Sequence, residues 1–565
     1  MKKIYLAIAF CAALSPVVAQ NIADAGRFAT TDIAGTARYR AMGGAFGALG
    51  GDPTCMVDNP AGIAVYRGTN IVSISPTLNV AHTKTDKSIM ETNTKSGMSV
   101  SNTSVVISMR PEYGNLVNFN IGLGFNHSED VNRTYKMTNN NPSSSFGAYV
   151  ATRANNALCS INKYDDPDYL TMHEAWYNKN VPLIALMGYD CYAIDKAVTE
   201  QGISAGGVEA YNVSKGLPVY QRLQVTEKNR TDEYNVNLSA NWDDTFYAGV
   251  TLTMVDFNST VISEVYETYP NGKQEDFTEY DNDLETKGTG FNVKFGLLYR
   301  PTSSWRLGAA VHTPTWYSMK DFYNGYMLTN DYRVKDYSYA SLDGPYEDRY
   351  SYQTPWEYQF STAYVVGQKA ILSFEYDLKD FSTAKYTSKN RDADYQGTNT
   401  LIKENMQAMH TFKGGLEYRV TDQVSLRAGY AHQSSPYKQK ALKDDYGCTV
   451  WSESDYYANY WGDDRTTMFD GSTKTNYSLL DDTHFICGGI GYSSNDFFFD
   501  FSVTDRLQNE KIAAFPTTQD VDFDSDWNCY PLYHASDGSP MGVKADLVNL
   551  VTNTMRYEIT FGWRF

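Results

Sequence analysis

Apolar and polar side chains alternate with a period of two in many short segments of this chain. The clearest segment is 555–565, where large apolar residues alternate with polar residues and glycine. A strand that crosses a bilayer needs about 9–11 residues, and alternate side chains face the lipid. Helical spacing fits none of these segments. The apolar face of the last segment is formed by Met555, Tyr557, Ile559, Phe561, Trp563 and Phe565.

The pattern predicts an all-β fold, a 14-stranded antiparallel transmembrane β-barrel. The short connections between the strands alternate with long ones, as short turns on one side of a membrane and long loops on the other require. An even strand number fits a single-chain barrel. The predicted strands lie near 70–81, 99–110, 117–127, 233–242, 246–262, 289–300, 305–319, 354–366, 369–380, 410–419, 423–434, 483–493, 496–505 and 553–565.

The first residues indicate the compartment. Lys2 and Lys3 precede an apolar run, and Val17-Val18-Ala19 offers small residues at a cleavage site, so residues 1–19 are expected to be a secretory signal peptide. Beyond it we find no run of 18 apolar residues that could form a spanning helix. The 45 Tyr, 26 Phe and only 20% charged residues favour a barrel. We expect an outer-membrane protein of a Gram-negative bacterium with both termini periplasmic.

A segment of small residues, 20–67, precedes the predicted barrel, which occupies 68–565. Its many glycines allow close backbone approach, which suits a compact insert inside the lumen. A phosphate-binding loop is the alternative, but the Lys-Ser/Thr ending of a P-loop is missing. The net charge of −18 argues against a nucleic-acid partner.

The run Arg38 to Tyr66 resembles the N-terminal hatch of the FadL-like outer-membrane transporters of long-chain fatty acids and other hydrophobic compounds. The shared motif is Asn59-Pro60-Ala61, followed by Gly62. Two later stretches, 354–382 and 412–436, are similar to hairpins of that family. The resemblance implies a fourteen-stranded barrel closed by a hatch. It also implies capture of a hydrophobic ligand by apolar outer loops and lateral exit into the membrane beside a kinked third strand.

Gly122 and Gly124 are the candidates for a lateral gate. Both are expected to face inward on the third strand, where glycine often marks a bend or a close backbone approach. They would leave room for the hatch or for a kink. Ordinary barrel curvature is the alternative.

The second outer loop, 128–232, is far longer than a connection requires. Its segments 145–161 and 168–194 carry apolar residues at helical spacing, so the outer loops are expected to be partly helical. Amphipathic helices there could line a capture groove, because Met and aromatic side chains adapt to varied apolar ligands. A packed lid without ligand is the alternative. The groove candidates are Trp176, Leu183, Leu186 and Met187.

An acidic amphiphile would need a cation beside its apolar pocket. Lys294, Arg306 and Arg427 are inward candidates, although inward carboxylates could pair with them. Six cysteines remain after the expected signal peptide. An oxidising compartment permits disulfides, and we considered Cys159 with Cys191 and Cys448 with Cys529.

Three other functions are alternatives: haem uptake, hydrolysis and a surface scaffold. Haem uptake would use axial ligands such as His312 and His173, neither of which has a partner at a diagnostic spacing. A hydrolase would need Ser and His close in space, but His484 and Ser493 are about 30 Å apart along one strand. Aromatic loops would also suit a surface scaffold for export or adhesion. The favoured prediction is a monomeric, non-enzymatic transporter that needs no cofactor or metal, with a hydrophobic ligand and outer-membrane lipids as its partners.

Overall fold

The computed structural model describes most of the chain after residue 21. The described residues are 22–30, 32–86, 93–111, 115–140, 142, 144–161, 183–198, 204–210, 220–269, 276–330, 338–341, 346–367, 369–388, 395–439, 441, 476–515, 518–519, 521–523, 529–531, 542–543 and 545–565. The expected signal peptide therefore lies outside the described residues.

Fourteen antiparallel strands form a closed barrel, as predicted. Each strand pairs with the next, and the last pairs with the first from Ile71↔Arg564 onward. The strands are β1 Ile71–Thr85, β2 Asn93–Met109, β3 Leu116–Asn139, β4 Tyr220–Trp242, β5 Phe246–Tyr269, β6 Asp276–Tyr299, β7 Trp305–His312 continued by Trp316–Asn330, β8 Tyr346–Gln353 continued by Glu357–Val366, β9 Ala370–Asp380 continued by Lys385–Ser388, β10 Ala408–Arg419, β11 Val424–Gln433, β12 Tyr477–Ser493, β13 Phe497–Ala513 and β14 Val548–Arg564.

Helices are few and short. Two α-helices and two 3-10 helices precede the barrel, and the rest follow in the loops. They are α1 Ile22–Ala29, α2 Ala37–Ala41, the 3-10 helices Pro53–Met56 and Pro60–Val65, α3 Phe146–Ile161, α4 Leu183–Asp190, the 3-10 helix Phe381–Thr383 and α5 Gln396–Asn405. Short strands Ile194–Val198, Ser204–Ala210, Ser338–Ser341, Thr518–Gln519, Val521–Phe523, Cys529–Pro531 and Gly542–Val543 lie in the loops. Among the helices of the described ranges, none has the length and apolar character needed to cross a membrane.

The outer surface carries a broad apolar belt. On β6, for example, Phe291, Phe295, Leu297 and Tyr299 are 45–58% exposed, while the alternate residues are buried. Large aromatic side chains lie at the short-turn rim, including Trp242, Trp305 and Trp563. An outward apolar band with aromatic rims is the signature of a barrel that spans a membrane.

Several strands are longer than predicted. β3, β5 and β6 each have 24 residues, about twice what a bilayer needs. Their additional residues lie at the long-loop end, and their polarity is reversed. On β5 Leu252 and Met254 face outward. Beyond them most apolar side chains, among them Val255, Phe257 and Val261, face inward, although Ile262 faces outward. The barrel wall therefore continues beyond the apolar belt as a projecting wall with an apolar interior.

Candidate functional site

The segment before β1 runs through the lumen from one end to the other. At the long-loop end, Tyr437 donates a hydrogen bond to the carbonyl of Ile22 (3.1 Å), and Phe28 packs edge-on against Phe257 (5.1 Å). At the short-turn end, the amide of Asn70 donates to the carbonyl of Phe565 (3.0 Å). Ile22 and Phe565 thus lie at opposite ends of the barrel. Within this segment, residues 32–66 form the hatch.

The Asn-Pro-Ala-Gly motif docks the hatch on the barrel wall. Asn59 Oδ1 caps the helix Pro60–Val65 by accepting from the amide of Ala61 (3.1 Å), and Asn59 Nδ2 donates to the carbonyl of Gly47 (2.6 Å). Gly249 and Gly296 face this motif from directly opposite positions on β5 and β6. Because these two glycines have no side chains, they leave the space that the motif occupies; we call it the glycine dent.

A side chain at either glycine would collide with the motif. A Cβ at Gly296 would lie 2.0 Å from Oδ1 of Asn59, and one at Gly249 would lie 2.4 Å from the carbonyl carbon of Pro60. Neither distance is possible for real atoms, so only glycine permits this close approach. The sequence suggested that Gly122 and Gly124 would leave room for the hatch, but it did not point to Gly249 and Gly296.

Buried ion pairs hold the hatch against the wall. Arg40 Nε lies 2.6 Å from Glu558 Oε2 on β14, and both side chains are at most 4% exposed. Arg38 pairs with Glu417 on β10 at 2.9 Å. Asp32 binds Arg556 on β14. Burial opposes the charge of Asp32, but nearby arginines outweigh it and hold the pKa of this carboxyl below its usual value.

The wall is split between β2 and β3. These strands pair from Met109↔Phe119 at the short-turn end to Asn102↔Asn126. Beyond that point residues 93–100 pair with β1 and β3 continues with β4 as far as Asn139. The two segments, all described, form no ladder with each other. We call this region the β2–β3 split. It lies at the long-loop half of the barrel.

An irregularity in the strand pairing lies on each side of the split. The register of β1 with β2 shifts at Ser75/Pro76, which leaves Ser101 without an opposite residue, and the register of β3 with β4 shifts between His127 and Glu129. Such bulges bend a strand and increase its twist. They explain why β2 and β3 diverge here.

The hatch binds both irregular points. The hydroxyl of Ser101 donates to the carbonyl of Gly35 in the hatch (3.0 Å), and the amide of Asp32 donates to the carbonyl of Ser128 on β3 (3.2 Å). Residues 32–35 therefore contact β2 and β3 at the places where the two strands separate. A displacement of this part of the hatch would act directly on the split.

Side chains close the split. Thr83 and Thr85 of β1 donate from their hydroxyls to the carbonyls of Thr134 (2.6 Å) and Lys136 (3.1 Å) on β3. Arg133 of β3 binds Glu227 on β4, Glu510 on β13 and Thr552 on β14. The space that remains, bordered by Gly97, Asn132 and Arg133 among others, is about 20 Å³. One water needs about 10–15 Å³ of such space, so the split has room for about one water and is closed to a larger solute.

Gly122 and Gly124 lie just below the split, in the part of β3 that is paired with β2. A Cβ at Gly122 would lie 2.7 Å from Sδ of Met56 in the hatch, and one at Gly124 would lie 3.3 Å from it. The two glycines therefore leave room for the hatch. The bend itself lies further along β3, between His127 and Glu129, and begins three residues after Gly124. Their role in a lateral gate stays a prediction.

The three lumen cations all have partners. Lys294 Nζ donates to Glu233 Oε2 (3.0 Å), and Arg427 pairs with Glu417 (2.6 Å). Arg306 donates to the carbonyl of Leu49 in the hatch. A ligand carboxylate would have to compete with these contacts.

The candidate groove residues fall into two groups. Leu183 and Met187 of α4 are only 3% and 2% exposed, because they pack in the apolar interior of the loop end with Val150 of α3 and other residues. Leu186 is partly buried against the same cluster. Trp176 lies outside the described residues. A groove at this position stays a prediction, and with α4 packed as it is, only Leu186 is partly open.

A polar cavity of about 120 Å³ lies between the hatch and the wall. It is lined by charged groups from both sides, including Asp58, Lys294, Glu357, Lys379 and Lys413. Pockets for drug-sized ligands usually enclose about 300–1,000 Å³ and are mostly apolar. This cavity is suited to a few waters rather than to an apolar ligand.

The histidine and cysteine candidates are placed as follows. His312 Nε2 donates to the carbonyl of Asp58 (2.8 Å), and His173 lies outside the described residues. Cys191 carries a free thiol, so the pair with Cys159 is not formed; Cys448 lies outside the described residues, as does the side chain of Cys529. Cys55 and Cys487 are also free. Burial raises the pKa of the Cys55 thiol well above its usual value, which keeps it protonated.

The residues considered for catalysis do not form a site. The His484 ring accepts from or donates to the hydroxyl of Tyr430 (2.9 Å), whereas Ser493, at the short-turn end, accepts from Arg564 (2.8 Å). His484 lies in the middle of β12 and Ser493 at its end, nine residues further along the strand.

The chain is similar to known proteins in its structure rather than in its sequence. No protein-family model matches the sequence, and no curated protein sequence is similar to it. Among solved structures, a FadL homologue of Pseudomonas aeruginosa is similar over 95% of this chain and 99% of its own, with 12% identity and a TM-score of 0.50. The toluene transporter TodX of P. putida is similar over 94% and 99%, with 11% identity and a TM-score of 0.50.

Proposed function

Since this chain has the fold of the FadL-type barrels, we propose that it takes up hydrophobic or amphipathic small molecules across the outer membrane of a Gram-negative bacterium. The long loops would face the exterior and the short turns the periplasm. The two ligand types to test are a long-chain fatty acid, which the resemblance of the hatch implies, and toluene, which is named for the structural neighbour TodX.

The observation that supports the proposal is the contact between the hatch and the β2–β3 split. Residues 32–35 bind Ser101 and Ser128, the irregular points where β2 and β3 diverge. The path straight through the barrel is filled by the hatch, whose motif is seated between Gly249 and Gly296. An apolar solute that reaches the lumen thus has its most direct exit sideways through the split into the apolar phase of the membrane.

The steps that follow are part of the proposal. A ligand that enters from the long-loop end meets an interior rich in buried tyrosines, among them Tyr350, Tyr352 and Tyr386. This interior now holds α1, since Tyr352 donates to the carbonyl of Ala25 (2.8 Å). Displacement of α1 by the ligand would pull on residues 32–35, which follow it closely in the chain, and so release the split.

A crosslink across the split tests lateral exit. An ideal Cβ at Gly97 lies 3.8 Å from Nδ2 of Asn132 on β3, so side chains at these two positions meet across the split. We therefore choose them for a pair of cysteines to be joined by a disulfide. Gly97→Cys with Asn132→Cys should block uptake of a labelled long-chain fatty acid and of labelled toluene when oxidised. A reductant should restore it.

The matched control is a crosslink where the wall is already paired. Ile107 and Ile121 are directly opposite each other on β2 and β3, and Ile107→Cys with Ile121→Cys should leave uptake unchanged in both redox states. Unimpaired uptake through the oxidised Gly97–Asn132 crosslink would refute lateral exit. Absence of uptake of either probe by the reduced protein and the wild type would refute the transport assignment itself.

A further inference from the structure

Three basic side chains form one row on the outside of the projecting wall. Lys320 on β7 is directly opposite Lys287 on β6 and Arg349 on β8. Their side chains are 52% exposed for Lys287, 33% for Lys320 and 65% for Arg349. Like charges directly opposite each other on neighbouring strands destabilise a sheet. Such a row therefore calls for an anionic partner.

The carboxylates of the wall neutralise only part of this positive charge. Lys287 pairs with Glu285 at 2.7 Å, while Lys320 and Arg349 share Glu347 at 2.8 and 2.6 Å. Two carboxylates thus serve three cations. Both carboxylates lie in the next outward row on the side away from the apolar belt, with Phe322 between them in register.

The opposite side of the row faces the membrane. The next outward row toward the belt is formed by the hydroxyl residues Thr289, Ser318 and Ser351. After it come Phe291 and Trp316, whose rings are 5.1 Å apart and which are 58% and 39% exposed. Phe291 is four positions after Lys287 in the sequence, a distance of roughly 13 Å along the strand.

From this order we propose that Lys287, Lys320 and Arg349 bind the phosphate groups of a lipid headgroup in the leaflet on the long-loop side. The acyl chains would lie along Phe291 and Trp316, the headgroup hydroxyls and sugars beside Thr289, Ser318 and Ser351, and the phosphates against the cations. Lys and Arg bind phosphate oxygens by charge-assisted hydrogen bonds. Basic residues just outside a membrane's apolar zone attract anionic lipids.

The side chains are held in place for this contact. The Lys320 ammonium lies 4.5 Å from the ring centre of Phe322, and the Lys287 ammonium lies 5.6 Å from it. A shared aromatic ring keeps the two ammonium groups near each other despite their repulsion. The proposal rests on the placement of the barrel in a membrane and is independent of transport, so its test measures lipid binding alone.

The experiment titrates detergent-purified full-length protein with lipid A carrying two phosphates and follows bound lipid by native mass spectrometry. The triple variant Lys287→Gln, Lys320→Gln, Arg349→Gln should bind at least tenfold more weakly than the wild type. The matched control Arg300→Gln, Lys369→Gln, Arg419→Gln removes the same charge at the short-turn rim and should bind within twofold of the wild type.

Two further arms separate the sources of phosphate. Dephosphorylated lipid A should bind the wild type at least tenfold more weakly, and excess inorganic phosphate should not displace lipid A. The charge-retaining variant Lys287→Arg with Lys320→Arg should bind within threefold of the wild type. This variant keeps the test usable if the triple variant does not fold. Equal binding by the triple variant, equal binding of dephosphorylated lipid, displacement by inorganic phosphate or loss of binding in the arginine variant would each overturn the proposal.

Discussion

Arg133 of β3 and Glu510 of β13 are joined across the split, with Nη2 of the arginine 2.8 Å from Oε2 of the glutamate. Three strands, β14, β1 and β2, lie between β13 and β3 along the wall on this side. The same guanidinium also binds Glu227 on β4. Arg133 therefore ties together parts of the wall that no ladder joins in this half of the barrel.

Replacing Arg133 with Met should loosen the split. It leaves Glu227 and Glu510 buried without their cation, which costs about 3–5 kcal/mol in comparable buried pairs. We expect faster hydrogen exchange in 127–139 and in 93–101, and faster uptake of labelled toluene. Arg222→Met is the matched control, because Arg222 pairs with Glu264 in a much more exposed position. Unchanged exchange at the split would contradict the role given to Arg133.

Gly296→Ala should unseat the hatch. The new Cβ would lie 2.0 Å from Oδ1 of Asn59, and overpacking of this kind costs about 1–3 kcal/mol. We expect a higher single-channel conductance in planar bilayers, because the lumen is no longer tightly closed. For Gly414→Ala, a Cβ would meet no atom of the described residues within 4 Å, and conductance should stay at the wild-type level. Equal conductance of the two variants would argue against the glycine dent.

The buried pair of Arg40 with Glu558 gives a double-mutant test of hatch anchoring. Arg40→Met alone leaves a buried carboxylate unpaired and should destabilise hatch docking by about 3–5 kcal/mol. Adding Glu558→Gln should recover part of that loss, because the unpaired charge is removed. Protease sensitivity of the hatch in purified protein measures both. Additive effects of the two substitutions would show that the pair does not anchor the hatch.

Replacing both Gly122 and Gly124 with Val should block uptake while the barrel stays folded. The added side chains would collide with Met56, since even a Cβ at Gly122 lies 2.7 Å from its sulfur, and the hatch would be displaced beside the split. Resistance of the folded barrel to SDS on a gel checks folding, and labelled fatty acid checks uptake. Wild-type uptake by the double variant would dispose of this gate hypothesis.

The strand number and the hatch could be predicted because alternation, loop length and small residues are local properties of the sequence. The predicted strands ended too early for a physical reason. On β3 the prediction ended at 127, because the outward positions Asn132, Thr134 and Lys136 beyond it are polar. Tyr135 and Met137 face inward there. The alternation continues with its phase reversed, which the pattern for a lipid-facing strand does not detect.

The split could not be predicted from the sequence. Ser101 and Ser128 are ordinary polar residues in polar segments, and a bulge exists only in relation to the neighbouring strand. Their bonds to Gly35 and Asp32 of the hatch join residues that are far apart in the chain. Gly249 and Gly296 were likewise visible as residues, but their contact with the Asn-Pro-Ala-Gly motif was not.

The reversal of polarity along β5 and β6 restricts how this wall can change in length. Because successive side chains point to opposite sides, inserting or deleting one residue between Met254 and Phe257 would turn Phe257 and Val261 to the aqueous exterior and bring polar neighbours such as Asp256 and Asn258 inside. Two residues can be gained or lost without that penalty. Within this part of the wall, length can therefore change only in even steps, whereas residues added at the loop end leave the inward face as it is.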